Sequence, residues 1–114
     1  MTPDQFAHAI AIVESRDNPN APLGDAGRAL GRYQWHPDAA WSWAVRLGIA
    51  PELNETWDSF LYRLILKHYT FHSQQGLTDL QCAMAYHEGH IVRGPTDPDW
   101  DQKYADDFTA ATRA

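Results

Sequence analysis

Phe6, Ile10 and Val13 recur at helical spacing, with Ala7, Ala9 and Ala11 around them, which predicts a helix from about Pro3 to Ser15. Thr2 is its expected N-cap, Pro3 suits the first helical position, and Gln5 completes a capping box. Asp17-Asn18-Pro19-Asn20 ends it, because proline disfavours helix in the preceding residue and Asn and Asp favour turns. Gly24, Gly27 and Gly31 then follow in quick succession, and Leu30, Tyr33 and Trp35 lend only slight strand character. This stretch reads as a glycine-rich loop or a small β-hairpin. His36-Pro37-Asp38 opens a second helix with Trp41, Val45 and Leu47, closed by Gly48. A longer helix runs from Asn54 or Thr56 to Gln74, with Trp57, Phe60, Leu61, Leu64, Ile65, His68 and Tyr69 on one broad face. Thr78 and Gln81 form a second capping box, starting a short helix that ends near Tyr86 or His87. Gly89, Gly94, Pro95 and Pro98 break the chain. A last helix is expected from about Asp99, with Trp100, Tyr104 and Phe108 four residues apart. The fold class is therefore mainly α, with about five helices and one irregular or β element between the first two.

Length and charge narrow this picture. The chain has 114 residues, so residues 1–114 are expected to form a single domain around one core. Fifteen acidic against nine basic residues leave a net charge of −6, and no basic stripe is visible, which argues against nucleic acid as a partner. No apolar run approaches the ~18–20 residues of a membrane span. Met1 leads straight into a helix signal, without a basic start or an apolar export segment, so the expected location at synthesis is the cytoplasm. The single Cys82 allows no intrachain disulfide and no cysteine-based zinc site, and reads as a buried thiol.

Glu14 is the residue type and place that chemistry would use. It lies at a helix end, next to the core-facing stripe, where desolvation and the negative end of the helix dipole both favour its protonated form. A carboxylic acid that keeps its proton near neutral pH is what a general acid for glycoside cleavage requires.

Three motifs follow in order: Glu14-Ser15 at a helix end, Gly31-Arg32-Tyr33-Gln34 in the loop, and Ala85-Tyr86-His87-Glu88-Gly89 on a later helix. Together they resemble the active-site region of the lysozyme-like superfamily, both its soluble lytic transglycosylases and its invertebrate-type lysozymes. The Glu14 to Asp25 spacing is closer to the invertebrate-type pattern. His87 stands where the transglycosylase element has Asn, and Trp35 where an aliphatic residue follows Gln34. Invertebrate-type lysozymes are also rich in disulfides, and this chain forms none.

The resemblance implies an α+β lysozyme-like fold and cleavage of the β-1,4 bond between N-acetylmuramic acid and N-acetylglucosamine in a peptidoglycan glycan strand. It implies a phage-like or bacterial lysis enzyme that reaches the cell wall after release or delivery, acts as a monomer and needs no cofactor or metal. Glu14 would be the acid and Asp25 the second carboxylate, with Asp17 as its rival. Gln34 would hydrogen-bond to the substrate or the catalytic water. Tyr86 would pack beneath Glu14, and Ser15 would support the backbone. Tyr33, Arg32 and His87 complete the expected substrate-binding set, with Arg28 and Arg32 facing the acidic groups of peptidoglycan. If Asp25 points away, the substrate's own hydroxyl attacks and the product is a 1,6-anhydro sugar.

Two other function classes stand beside this one. The first is an inactive module of the same fold that binds a wall, a virion or a host protein. The second is a metal-dependent hydrolase using His68 and His72, which are four apart; a satisfied, partly buried histidine is the plainer account of His68. His87-Glu88-Gly89-His90 lacks the paired histidines of a zinc-protease helix. Trp41 and Trp57 are expected in the core, and Trp43 or Trp35 at a cleft.

Overall fold

A computed structural model describes residues 1–24 and 27–114. Five helices follow one another: α1 Pro3–Ser15, α2 Pro37–Leu47, α3 Trp57–Gln74, α4 Asp79–Glu88 and α5 Gln102–Ala111. Their starts are chemical. The Thr2/Gln5 and Thr78/Gln81 capping boxes are both formed, and the Thr56 hydroxyl accepts from the Ser59 amide. Their ends are conformational, since Gly48 and Gly89 close α2 and α4 in the left-handed region. α5 begins three residues later than expected. Asp101 is its N-cap, with the side chain accepting from Tyr104 N, so Trp100 stands outside the helix.

α1 packs against both α3 and α5. Its face of Phe6, Ala7 and Ile10 is fully buried, as are Phe60, Leu61, Leu64 and Ile65 of α3. Phe6 stacks on Tyr69 with ring centroids 4.5 Å apart and lies 5.7 Å from Phe108, so one ring joins three helices. Truncating such a ring to alanine costs about 3–5 kcal/mol. α4 bridges α3 and α5, with Cys82, Ala83, Met84 and Ala85 buried. α2 lays only Ala40 and Ala44 fully into the core. Trp41, expected in the core, is instead 45% exposed and lies over the rings of Trp57 and Phe60. Small residues bring α2 close to α3, and the indole is left at the edge of that contact.

Between α1 and α2 the chain is irregular, with two isolated antiparallel bridges, Gly24 to Ala29 and Leu30 to Trp35, and no extended strand among the described residues. Its anchors are Ser15 and Tyr86. Ser15 Oγ donates to the Arg32 carbonyl at 2.6 Å and accepts from Asn18 N. The Tyr86 hydroxyl of α4 donates to the Tyr33 carbonyl. No helix among the described residues is long and apolar enough to cross a membrane.

Candidate functional site

The end of α1, the 27–36 loop, the start of α2, the middle of α3 and the end of α4 enclose a cleft of about 590 Å³. Glu14, Gln34, Trp35, His36, Trp43, His68, Tyr86, His87 and Glu88 line it. Glu14 is half-buried in its wall. Burial pushes the Glu14 carboxyl above the ordinary glutamate range, because the charged form loses its water. Two neighbours oppose that shift without cancelling it: the Tyr104 hydroxyl, which donates to Glu14 Oε2 at 2.8 Å, and the His87 ring.

Tyr104 is the partner that the sequence did not reveal. Its position in an i, i+4 aromatic row reads as core, and its ring is indeed buried in the core. Only the tertiary fold shows where the hydroxyl ends. The sequence also has Tyr86 pack beneath Glu14, and the two residues line the same cleft. The Tyr86 hydroxyl is committed to the Tyr33 carbonyl. Burial and the nearby Glu14 and Tyr104 keep that phenol firmly protonated.

The remaining expected residues divide into those in the cleft and those holding the loop. Gln34 lines the cleft with a backbone φ of +48°, and its side-chain amide donates to the Gly31 carbonyl at 2.8 Å and to Pro22 O at 3.3 Å. A Cβ on Gly24 would collide with the Gln34 amide oxygen, so the side chain rests against bare backbone. A left-handed Gln costs of order 1–3 kcal/mol and needs this kind of surrounding support.

Arg32, expected to bind substrate, is not part of the cleft lining. Its guanidinium donates to Asp17 at 2.6 Å and to Asp58 at 3.2 Å, tying the loop to α3. Asp17, the expected rival second carboxylate, is likewise outside the cleft lining: the Arg32 pair holds one oxygen and His8 approaches the other at 3.6 Å. Tyr33 is buried, and its carbonyl accepts from the Tyr86 hydroxyl of the cleft wall. Ser15 has the expected supporting role. Asp25 lies outside the described residues. Arg28 is exposed on the loop.

Among the described residues, Glu88 is the cleft's other carboxylate. It lies inside the Ala85–Gly89 motif but was given no role in sequence reasoning. Trp35 and Trp43 both line the cleft. Trp43 packs edge-on to His68 at 4.5 Å, and Trp35 packs edge-on to Tyr86 at 4.9 Å. His68 is 1% exposed, and its Nδ1 has no hydrogen-bond partner among the described residues, so it is not the satisfied histidine expected. Desolvation, with His72 and Arg46 nearby, lowers its pKa to about 3 and keeps it neutral. His72 turns Nδ1 to the His68 carbonyl at 3.0 Å instead of pairing with His68 around a common point.

His87 stacks flat on Tyr104, with centroids 3.9 Å apart and planes 12° apart, and its Nε2 meets Asp101 Oδ2 at 3.0 Å. Among the described residues, His87, Glu88 and Asp101 are the one group whose donor atoms converge closely enough to hold a metal ion.

Comparison with models of known protein families, with curated proteins and with solved structures finds no match.

Proposed function

We propose that this chain is a peptidoglycan glycosidase with the α+β arrangement of the lysozyme-like superfamily, and that Glu14 is its general acid. One observation carries the reading: a carboxyl held above its ordinary pKa by burial, on the wall of an open cleft, with a phenol bonded to one of its oxygens. The ordered Glu14-Ser15, Gly31–Gln34 and Ala85–Gly89 motifs point the same way, because their elements converge on that cleft.

In this reading Glu14 gives its proton to the bridging oxygen as the C1–O bond breaks and positive charge grows on the ring. The Tyr104 hydroxyl stabilises the carboxylate that forms. One carboxylate then takes the proton of the nucleophile that adds to C1: Asp25 or Glu88 where the nucleophile is water, Glu14 itself where it is a hydroxyl of the substrate. If that nucleophile is water, activated by Asp25 or Glu88, the product is a reducing sugar. If it is the substrate's own C6 hydroxyl, the product is a 1,6-anhydro sugar. The half-buried Trp43 offers apolar surface for a sugar ring, and Gln34 a polar contact.

The test is clearing of purified cell walls by the wild type and by Glu14→Gln, with mass spectrometry of the released fragments. A loss of at least about 10²-fold is expected, the usual contribution of a positioned acid. Equal rates would remove Glu14 as the acid. The masses separate hydrolysis from anhydro-sugar formation.

A further inference from the structure

We propose that His87, Glu88 and Asp101 bind one divalent transition-metal ion of the zinc class at the rim of the cleft. The three side chains come from two elements. His87 and Glu88 form the last turn of α4, and Asp101 caps α5. One donor atom from each lies within 4.8 Å of the other two.

The geometry sets two carboxylates around one imidazole nitrogen. His87 Nε2 faces Asp101 Oδ2 at 3.0 Å and Glu88 Oε1 at 3.7 Å. One ring nitrogen carries one proton and serves one carboxylate well. Among the described residues, neither carboxylate is ion-paired to Lys or Arg; the nearby Lys103 is paired with Asp107. Among the described residues Glu88 thus has no closer charged partner than that ring, while Asp101 also accepts from the Tyr104 amide. An ion between the three would satisfy all of them, and the spacings suit it, since donor atoms about 2.0–2.2 Å from a tetrahedral zinc stand roughly 3.4 Å apart.

Two of the donors are already oriented. Asp101 uses Oδ1 to accept the Tyr104 amide at 3.0 Å, which leaves Oδ2 to point at His87. The His87 ring is fixed by its stack on Tyr104. Such outer contacts are what prepare a metal site. One imidazole and two carboxylates favour zinc, nickel or cobalt over calcium or magnesium, which take six or more oxygens. The partly exposed side chains leave coordination positions for water and an entry path. The sequence hid this set because the third donor arrives 13 residues after Glu88, from another helix.

The inference does not rest on the glycosidase reading, although an ion on Glu88 would leave Asp25 to activate water there, and its test does not use activity. Chelator-treated full-length chain is titrated calorimetrically with zinc chloride, then with calcium chloride. One-to-one binding of zinc, none of calcium, and a zinc-dependent rise in melting temperature are expected. His87→Ala and Glu88→Gln should each weaken zinc binding at least about tenfold. Asp101→Asn should do the same while keeping the α5 cap through its remaining oxygen. Circular dichroism without metal checks that each variant is folded, and Glu88→Gln, at the rim, guards against loss of fold in the others. No saturable zinc binding by the wild type, or binding unchanged in all three variants, overturns the proposal. So does binding that His72→Gln abolishes and His87→Ala leaves intact.

Discussion

Glu14 and Tyr104 are 90 residues apart in the chain, yet the Tyr104 hydroxyl donates to the Glu14 carboxylate at 2.8 Å. The bond joins the last turn of α1 to the first of α5 through the wall of the cleft. It favours the charged form of a carboxyl whose burial favours the protonated one. The two effects compete at one oxygen, and their balance sets the pH at which the proton is released.

Tyr104→Phe therefore has a signed outcome. Without the donor, Glu14 holds its proton more tightly. A general acid works only while protonated, so the alkaline limb of the wall-lysis profile should move to higher pH. Looser positioning should also lower the maximal rate by about 10- to 100-fold. Rates across pH for both proteins give the check; a limb that stays put or moves down would break the link between the pair.

His68 makes the fold acid-sensitive. Its pKa is lowered to about 3 by burial, while in the unfolded chain it titrates near 6.5. Above that pH both states are neutral and the group is silent. As pH falls through 6.5 the unfolded state takes a proton that the folded state refuses. Stability then drops by about 1.4 kcal/mol per pH unit until the folded pKa is reached. Urea midpoints at pH 7 and pH 4 should show a larger acid loss in the wild type than in His68→Phe. His72, also lowered by burial, acts in the same direction in both proteins.

Arg32 is expected to matter for stability and not for substrate. Its pairs with Asp17 and Asp58 are partly exposed, so Arg32→Met should cost about 1 kcal/mol in total. High salt should shrink that cost. Binding of the variant to purified walls should match the wild type; a loss of wall affinity at unchanged stability would return Arg32 to the binding surface.

What the sequence disclosed here is mostly local. Thr2, Thr56 and Thr78 announce helix starts through side-chain oxygens that reach amides three residues on, and that rule needs no tertiary knowledge. Glu14 was legible too, because a polar residue beside an apolar stripe at a helix end has few places to go. The failures are long-range. Arg32 looked like a spare cation because Asp58 is 26 residues away. Tyr104 looked like core because its ring is core and only its oxygen is not. Trp41 was placed by periodicity alone, which does not say that α2 meets α3 through alanines.

The bare backbone at Gly24 has one more consequence. Because a side chain there would displace the Gln34 amide from the cleft, the two positions are bound to each other over ten residues of chain. The atom it would meet is the far end of a flexible side chain, so a small residue at 24 would be accommodated by swinging that amide aside, at the cost of its bonds to Gly31 and Pro22. What position 24 governs is thus where the Gln34 amide points, more than whether the loop folds.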